Sequence, residues 1–239
     1  MQQSDEDNDP QADGATELAE FMAVAAHDLR NPIAVVRASA QMAQRQMVRG
    51  NPDGVQSRLK AIVEQTDRLT EMLEMFVDAA RVNASRLPLR SERVDLRDIV
   101  ESAAKRARFL MGERGERVLE CIVPEGCIGT WDRMKIVRAM RALISNALVF
   151  GHPDAPVSVE ARRAGNRVRV TVSGGGPGPD SEELVHLFER FYRGPSAAAA
   201  GQSGSGLGLY TARGIARAHG GEIRRIQGDR FEIELPLTE

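Results

Sequence analysis

Two long helical seams, separated by one cluster of turn formers, restrict the first third of the chain more than any other feature. Apolar or small residues recur at Leu18, Met22, Ala25, Leu29, Ile33, Val36, Ala40, Ala43 and Met47, always three or four positions apart. A second run with the same spacing follows at Val55, Leu59, Ile62, Thr66, Leu69, Leu73, Phe76 and Ala80. Between them lies Arg49-Gly50-Asn51-Pro52-Asp53-Gly54, a dense set of turn formers. Such spacing belongs to helices that pack side by side. The expectation is an antiparallel hairpin whose arms are each roughly 30 residues and ~45 Å long. Two helices cannot enclose a core alone, whereas two hairpins paired as a four-helix bundle can, so a homodimer is expected.

The remainder reads differently. Residues 1–14 are polar and acidic, and bury too little to offset chain entropy, so a disordered tail is expected. The hairpin then occupies 15–84, and 85–93, with Pro88, suits a linker. From 94 to 237 helix and strand signals mix. Asp95 is placed to cap a helix running to about Gly112, and residues 118–123 read as a strand. A helix follows Trp131-Asp132 to about Phe150. Strands flank Ala164-Gly165-Asn166 and Gly228-Asp229, each pair a hairpin. Asp180 is read as the cap of a short helix through Phe188, and another helix runs from near Gly206 to Gly220-Gly221. The fold class is therefore multidomain: an α-helical hairpin, then an α+β layer with one mixed sheet and helices on one face.

Charge excludes little. The net charge is −2, and the acids concentrate in the first 20 residues. The rest is only mildly basic, with no case for nucleic acid. No apolar run approaches the ~18 residues of a membrane span, and the N-terminus lacks signal-peptide features. Cys121 and Cys127 read as two reduced thiols of a cytoplasmic protein rather than a disulfide framework or zinc site.

Four segments carry chemistry. In His27-Asp28-Leu29-Arg30-Asn31-Pro32, His27 lies two positions past the seam residue Ala25 and should face away from a bundle core. An exposed imidazole serves as a nucleophile if one ring nitrogen is free and the other is held. Asp28 is placed to hold it, and Asn31 lies one turn on, placed to position a water. A lone helical His is usually an ordinary surface residue. Pro32 argues against that, because a proline inside a helix costs ~3 kcal/mol. The second segment is Ser203-Gly204-Ser205-Gly206-Leu207-Gly208-Leu209 at a helix start, where backbone amides and the helix N-terminus suit phosphates. It is neither a P-loop nor a dinucleotide fingerprint, and a flexible connector is the plain alternative. In the third, Arg141 to Ala147, Asn146 sits on an apolar helix as a buried hydrogen-bonding residue or a Mg²⁺ ligand. The fourth is Ser173-Gly174-Gly175-Gly176-Pro177-Gly178, followed by Leu187 to Gly194.

In this order and spacing, the segments HDLRNP, LISNA, GGGPG, LFERFYRG and GSGLGL with AHGG resemble the transmitter region of bacterial sensor histidine kinases, over residues 16–236. The resemblance implies a dimerisation and phosphotransfer hairpin forming a dimeric four-helix bundle, then a GHKL-type α/β sandwich that binds ATP and Mg²⁺. It implies that His27 takes the ATP γ-phosphate and passes it to an aspartate of a response regulator receiver domain. Asp28 would assist as acid/base and Asn31 would support regulator dephosphorylation. Asn146 would hold Mg²⁺. Gly174, Gly176, Gly178, Gly204, Gly206, Leu207 and Gly208 would surround the nucleotide beneath a lid at about 194–205. The input is expected through the acidic tail, a separate sensor protein or a segment outside these 239 residues.

The resemblance breaks on the nucleotide side. The first glycine box of the family begins with an Asp that accepts a hydrogen bond from the adenine amino group, and here that place is Gly174. Ala142 and Val149 replace a usual Asn and a usual basic residue. Two readings follow: an ATP-dependent histidine kinase with a relaxed adenine contact, or a degenerate kinase serving as a phosphotransfer, phosphatase or scaffold module. A lost charged hydrogen bond costs ~1.5–3 kcal/mol. Restoring Gly174→Asp is accordingly expected to tighten ATP binding.

Overall fold

In the computed structural model, residues 10–111, 116–195 and 205–238 are described, with the backbone alone for 10–20 and 111. Residues 1–9 of the expected tail lie outside them, and the backbone is already helical from Pro10. The chain divides into two compact units at Glu74/Met75.

The first unit is built from α1 (Pro10–Val48) and most of α2 (Pro52–Asn83). The turn closes locally: the Gly50 N–H donates to Met47 O, Asn51 N–H donates to Gln46 O, and Asn51 Oδ1 accepts the Gly54 N–H at 3.0 Å. On α1 the buried positions are Ala25, Pro32, Ser39 and Ala43, a heptad-like face that shares Ala25 and Ala43 with the expected seam but takes Pro32 and Ser39 in place of Ile33 and Ala40. Met22, Ile33 and Met47 of that seam are exposed, as are Leu59 and Leu73 on α2.

The second unit begins inside α2, because Phe76, Asp78 and Ala79 are buried. Asp78 forms ion pairs with Lys135, at 3.0 Å, and Arg138. A buried carboxylate between two cations keeps all three charges satisfied. Residues expected as linker end in a strand: β1 (Glu92–Asp95) pairs antiparallel with β3 (Ile128–Trp131). The Asp95 carboxylate accepts the Arg97 N–H at 2.8 Å, starting α3 (Leu96–Met111) as expected. A five-stranded mixed sheet follows in the order β2-β4-β5-β7-β6. Its strands are β2 (Leu119–Ile122), β4 (Val157–Ala164), β5 (Arg167–Ser173), β6 (Glu222–Gln227) and β7 (Arg230–Pro236). β2 is parallel to β4 and the other pairs are antiparallel.

Alternation decides the layers. Val157, Val159 and Ala161 of β4, and Val168, Val170 and Val172 of β5, are buried against α3, α4 (Arg133–Phe150) and α6 (Gly208–Ala218). The opposite face carries pairs such as Arg169–Glu234 and Arg224–Glu232. Asp132 caps α4 by accepting the Lys135 N–H at 3.1 Å and also accepts the Arg90 N–H. His219 locks this corner: its Nε2 accepts the Asp132 N–H at 3.0 Å, and its Nδ1 lies 2.8 Å from Ile215 O. Burial lowers its pKa, in keeping with a neutral ring whose proton sits on Nδ1.

The segment after Pro179 departs from expectation. The helix expected from Asp180 to Phe188 is only the single turn α5 (Glu183–His186), and Asp180 does not cap it. Instead the Glu183 carboxylate accepts the Asp180 N–H at 3.0 Å.

Candidate functional site

His27 sits on α1 with its side chain 72% exposed, and its Nδ1 lies 3.3 Å from Asp28 Oδ1. Asp28 is mostly covered, at 13%, so one ring nitrogen lies against a carboxylate while the ring as a whole is exposed. Pro32 is buried, and lacking an N–H it leaves the carbonyl of Asp28 without its helical partner. The proline therefore weakens the helix at the turn that carries the imidazole. Asn31 is exposed one turn after His27.

The second unit contains a cavity of about 510 Å³, within the range of small-molecule and cofactor sites. Asn146 reaches it from α4, Gly178 from the first glycine turn, and Gly206 and Gly208 from the start of α6. Gly206 has φ of 67°, and a Cβ there would come within 2.7 Å of the Tyr192 carbonyl oxygen. Leu207 is fully buried beneath the wall and does not line the cavity. Gly204, and residues 196–204 of the expected lid, lie outside the described residues.

These residues suit a nucleotide and Mg²⁺ at the phosphate end. The eleven-residue helix α6 directs its N-terminus at the cavity, which favours anions. Thr211, only 3% exposed, also lines it, and its Oγ1 is buried without a hydrogen-bond partner among the described residues. An orphaned buried hydroxyl of this kind suits a polar ligand. The half-buried carboxamide of Asn146 offers one neutral oxygen, the sort of donor that completes a Mg²⁺ shell made mainly of phosphate and water.

The other glycine turn is arranged differently. Gly174 and Gly176 stand behind the wall rather than on it. A Cβ on Gly174 would collide with the Ala147 carbonyl oxygen and lie 2.8 Å from Gly151 Cα. The turn is instead held from both sides by charges. Arg117 donates to the carbonyls of Ala147 and Leu148 at 3.1 Å, His152 at 2.7 Å, Ala155 at 2.6 Å and Gly174 at 3.0 Å. Of these, Leu148 O lies in the last turn of α4, where carbonyls lack an intrahelical partner, whereas Ala147 O also accepts the Gly151 N–H. Burial lowers the Arg117 pKa, and the Asp229 charge partly offsets this. From the β6–β7 turn, Asp229 accepts the Gly174 and Gly176 N–H groups at 2.7 and 2.9 Å. Neither Arg117 nor Asp229 was legible as a site residue: one is an arginine among many, the other half of a Gly-Asp turn.

Two family models match. Residues 17–85 match the His Kinase A (phospho-acceptor) domain, and residues 131–239 match the histidine kinase-, DNA gyrase B- and HSP90-like ATPase. The signal transduction histidine-protein kinase BaeS of Escherichia coli is 28% identical over 222 residues, covering 91% of this chain and 46% of BaeS. The swarming motility regulation sensor protein RssA of Serratia marcescens is 32% identical over 227 residues, covering 90% of this chain and 46% of RssA. The chain thus spans about half the length of the curated relatives it matches. Among solved structures, the Acinetobacter baumannii histidine kinase AdeS superposes with a TM-score of 0.59 at 23% identity, covering 89% of this chain and 98% of that one. Full-length ShkA, solved in complex with AMPPNP, gives 0.56 at 19% identity, covering 90% of this chain and 45% of that one. With a phospho-acceptor hairpin followed by an ATPase-type layer in one chain, this protein belongs to the bacterial sensor histidine kinases, of which it carries the transmitter region.

Proposed function

We propose that the chain is an ATP-dependent protein histidine kinase of a two-component system. Its Nε2 of His27 takes the γ-phosphoryl group of ATP and passes it to an aspartate on a response regulator receiver domain. The observation that carries this reading is the exposed His27 ring with Nδ1 against Asp28, on the same chain as a nucleotide-sized cavity. In the transfer, the Nε2 lone pair forms the N–P bond. The bond from phosphorus to the β,γ-bridging oxygen breaks, and ADP leaves with that electron pair. The proton on Nδ1 is then shared with Asp28, which stabilises the ring as it becomes cationic. Asn31, one turn further on, is suited to orient the water that hydrolyses the regulator's phosphoaspartate.

Within the second unit, the α6 N-terminus with Gly206 and Gly208 is suited to the phosphates, and Asn146 to Mg²⁺. The apolar residues left exposed on α1 and α2 support pairing with a second copy as a four-helix bundle. Among the described residues, no helix is long and apolar enough to cross a membrane, and a cytoplasmic site of action is part of the proposal. A second reading, a degenerate module without productive ATP binding, draws support from one observation: Gly174 has no side chain to meet a base and no room for one.

The test is incubation of the chain with Mg²⁺ and ATP radiolabelled at the γ-phosphate. The expected result is acid-labile, alkali-stable label that is absent from His27→Gln. ATP turnover without label on the wild type, or label persisting in His27→Gln, overturns the proposal.

A further inference from the structure

The carboxylate that binds the backbone of the first glycine turn comes from 55 positions further along the chain than Gly174. Asp229 lies in the turn between β6 and β7, is 7% exposed, and lines the cavity. Its Oδ2 accepts the N–H groups of Gly174 and Gly176, and its Oδ1 accepts the Ser173 hydroxyl at 3.0 Å. Each carboxylate oxygen accepts about two hydrogen bonds. Oδ2 is thus satisfied, while among the described residues Oδ1 keeps an acceptor position. Among the described lining residues the only other carboxylate is Glu183, which is turned to the Asp180 N–H.

A fixed negative charge repels phosphates, so they would settle at the α6 N-terminus and leave the neutral end of a ligand beside Asp229. Burying an acceptor there favours a ligand that brings a donor, and rejects one that brings an acceptor. Building on the nucleotide reading of the cavity, we propose that Asp229 is the base-recognition residue of this protein. The open acceptor position of its Oδ1 receives the exocyclic amino group of a 6-aminopurine, directly or through one ordered water. The carboxylate that the first glycine turn lacks is supplied from the facing hairpin, and it shapes that turn by the same hydrogen bonds.

Asp229→Asn tests this because it keeps the shape and changes one atom's polarity. The two glycine N–H groups demand the carboxamide oxygen at the Oδ2 position, so an NH₂ donor replaces Oδ1. The measurement is equilibrium binding of Mg-ATP, Mg-ITP (oxygen at C6) and Mg-purine riboside triphosphate (hydrogen at C6) to the full chain. Wild type is expected to prefer ATP to the other two by about tenfold or more. Asp229→Asn is expected to reverse the order of ATP and ITP. Asp229→Ser, a second variant should Asp229→Asn fail to fold, is expected to bring the ratio of ATP to purine riboside triphosphate close to one. A purely structural role would weaken all three ligands in proportion, and unchanged ratios overturn the proposal. Wild type that binds ATP without discrimination overturns it alone, whereas wild type that binds none of the three removes the nucleotide reading as well.

Discussion

Gly174 and Gly208 occupy comparable positions, each in a glycine-rich turn beside a helix end, yet the protein uses them in opposite ways. At Gly174 the missing side chain lets backbone meet backbone: the turn closes on Ala147 and Gly151, and Arg117 and Asp229 fix it from either side. At Gly208 an added Cβ would meet nothing within 4 Å among the described residues, and Gly208 lines the cavity. One glycine is part of the packing, and the other leaves room for a ligand. Similar sequence signals thus conceal two different physical reasons for the same residue.

Substitutions separate the two reasons. Arg117→Met should have the largest effect on stability, because it removes the charged donor shared by five carbonyls, of which Ala147, His152 and Gly174 also accept a backbone N–H. A loss of about 3 kcal/mol is expected, read as a lower urea midpoint for the full chain. Gly174→Asp comes next. Its side chain collides with backbone that cannot swing away, at a cost of about 2 kcal/mol. It should weaken Mg-ATP binding, the reverse of what the sequence comparison with the family suggests. Tighter binding in this variant would mean that the turn opens readily and that Asp229 does not hold it. Gly208→Ala should have the smallest effect on stability, within about 0.5 kcal/mol. It should still lower Mg-ATP affinity by about tenfold, the equivalent of one charge-assisted hydrogen bond. Equal losses of stability at positions 174 and 208 would erase the distinction.

Legibility in the sequence followed the range of the interactions. The hairpin arms, the β4–β5 and β6–β7 hairpins and the glycine-led start of α6 rest on local periodicity and turn chemistry, and each appears close to where it was read. β1 and β3 are four residues each and exist because they pair with one another across the α3 and β2 segments. Neither alternates long enough to announce a strand. The start of the second unit inside α2 depends on Asp78 meeting Lys135 and Arg138, 57 and 60 positions away. The Asp180 side chain makes no cap bond, although Glu183 accepts the Asp180 N–H as in half of a capping box, and only one helical turn follows.

The local geometry from His27 to Pro32 could be read from the sequence because it lies within two turns of a single helix: the exposure of His27 and its contact with Asp28 depend on near neighbours. The base end of the cavity could not. The walls beside Asp229 come from the end of α4, the Pro177-Gly178 end of the first glycine turn and the β6–β7 turn, segments far apart in the chain. Reading Gly174 in isolation suggests a damaged site, whereas in three dimensions a carboxylate stands beside it.

The central claim is that the cavity of this chain takes ATP although position 174 carries no carboxylate. Calorimetric titration of Mg-ATP into the wild-type chain tests it most directly. The account predicts saturable binding of one nucleotide per chain with a dissociation constant below about 1 mM, in the usual range for enzyme substrates. Titration that releases no binding heat and shows no saturation through that range, with the protein folded, would contradict it.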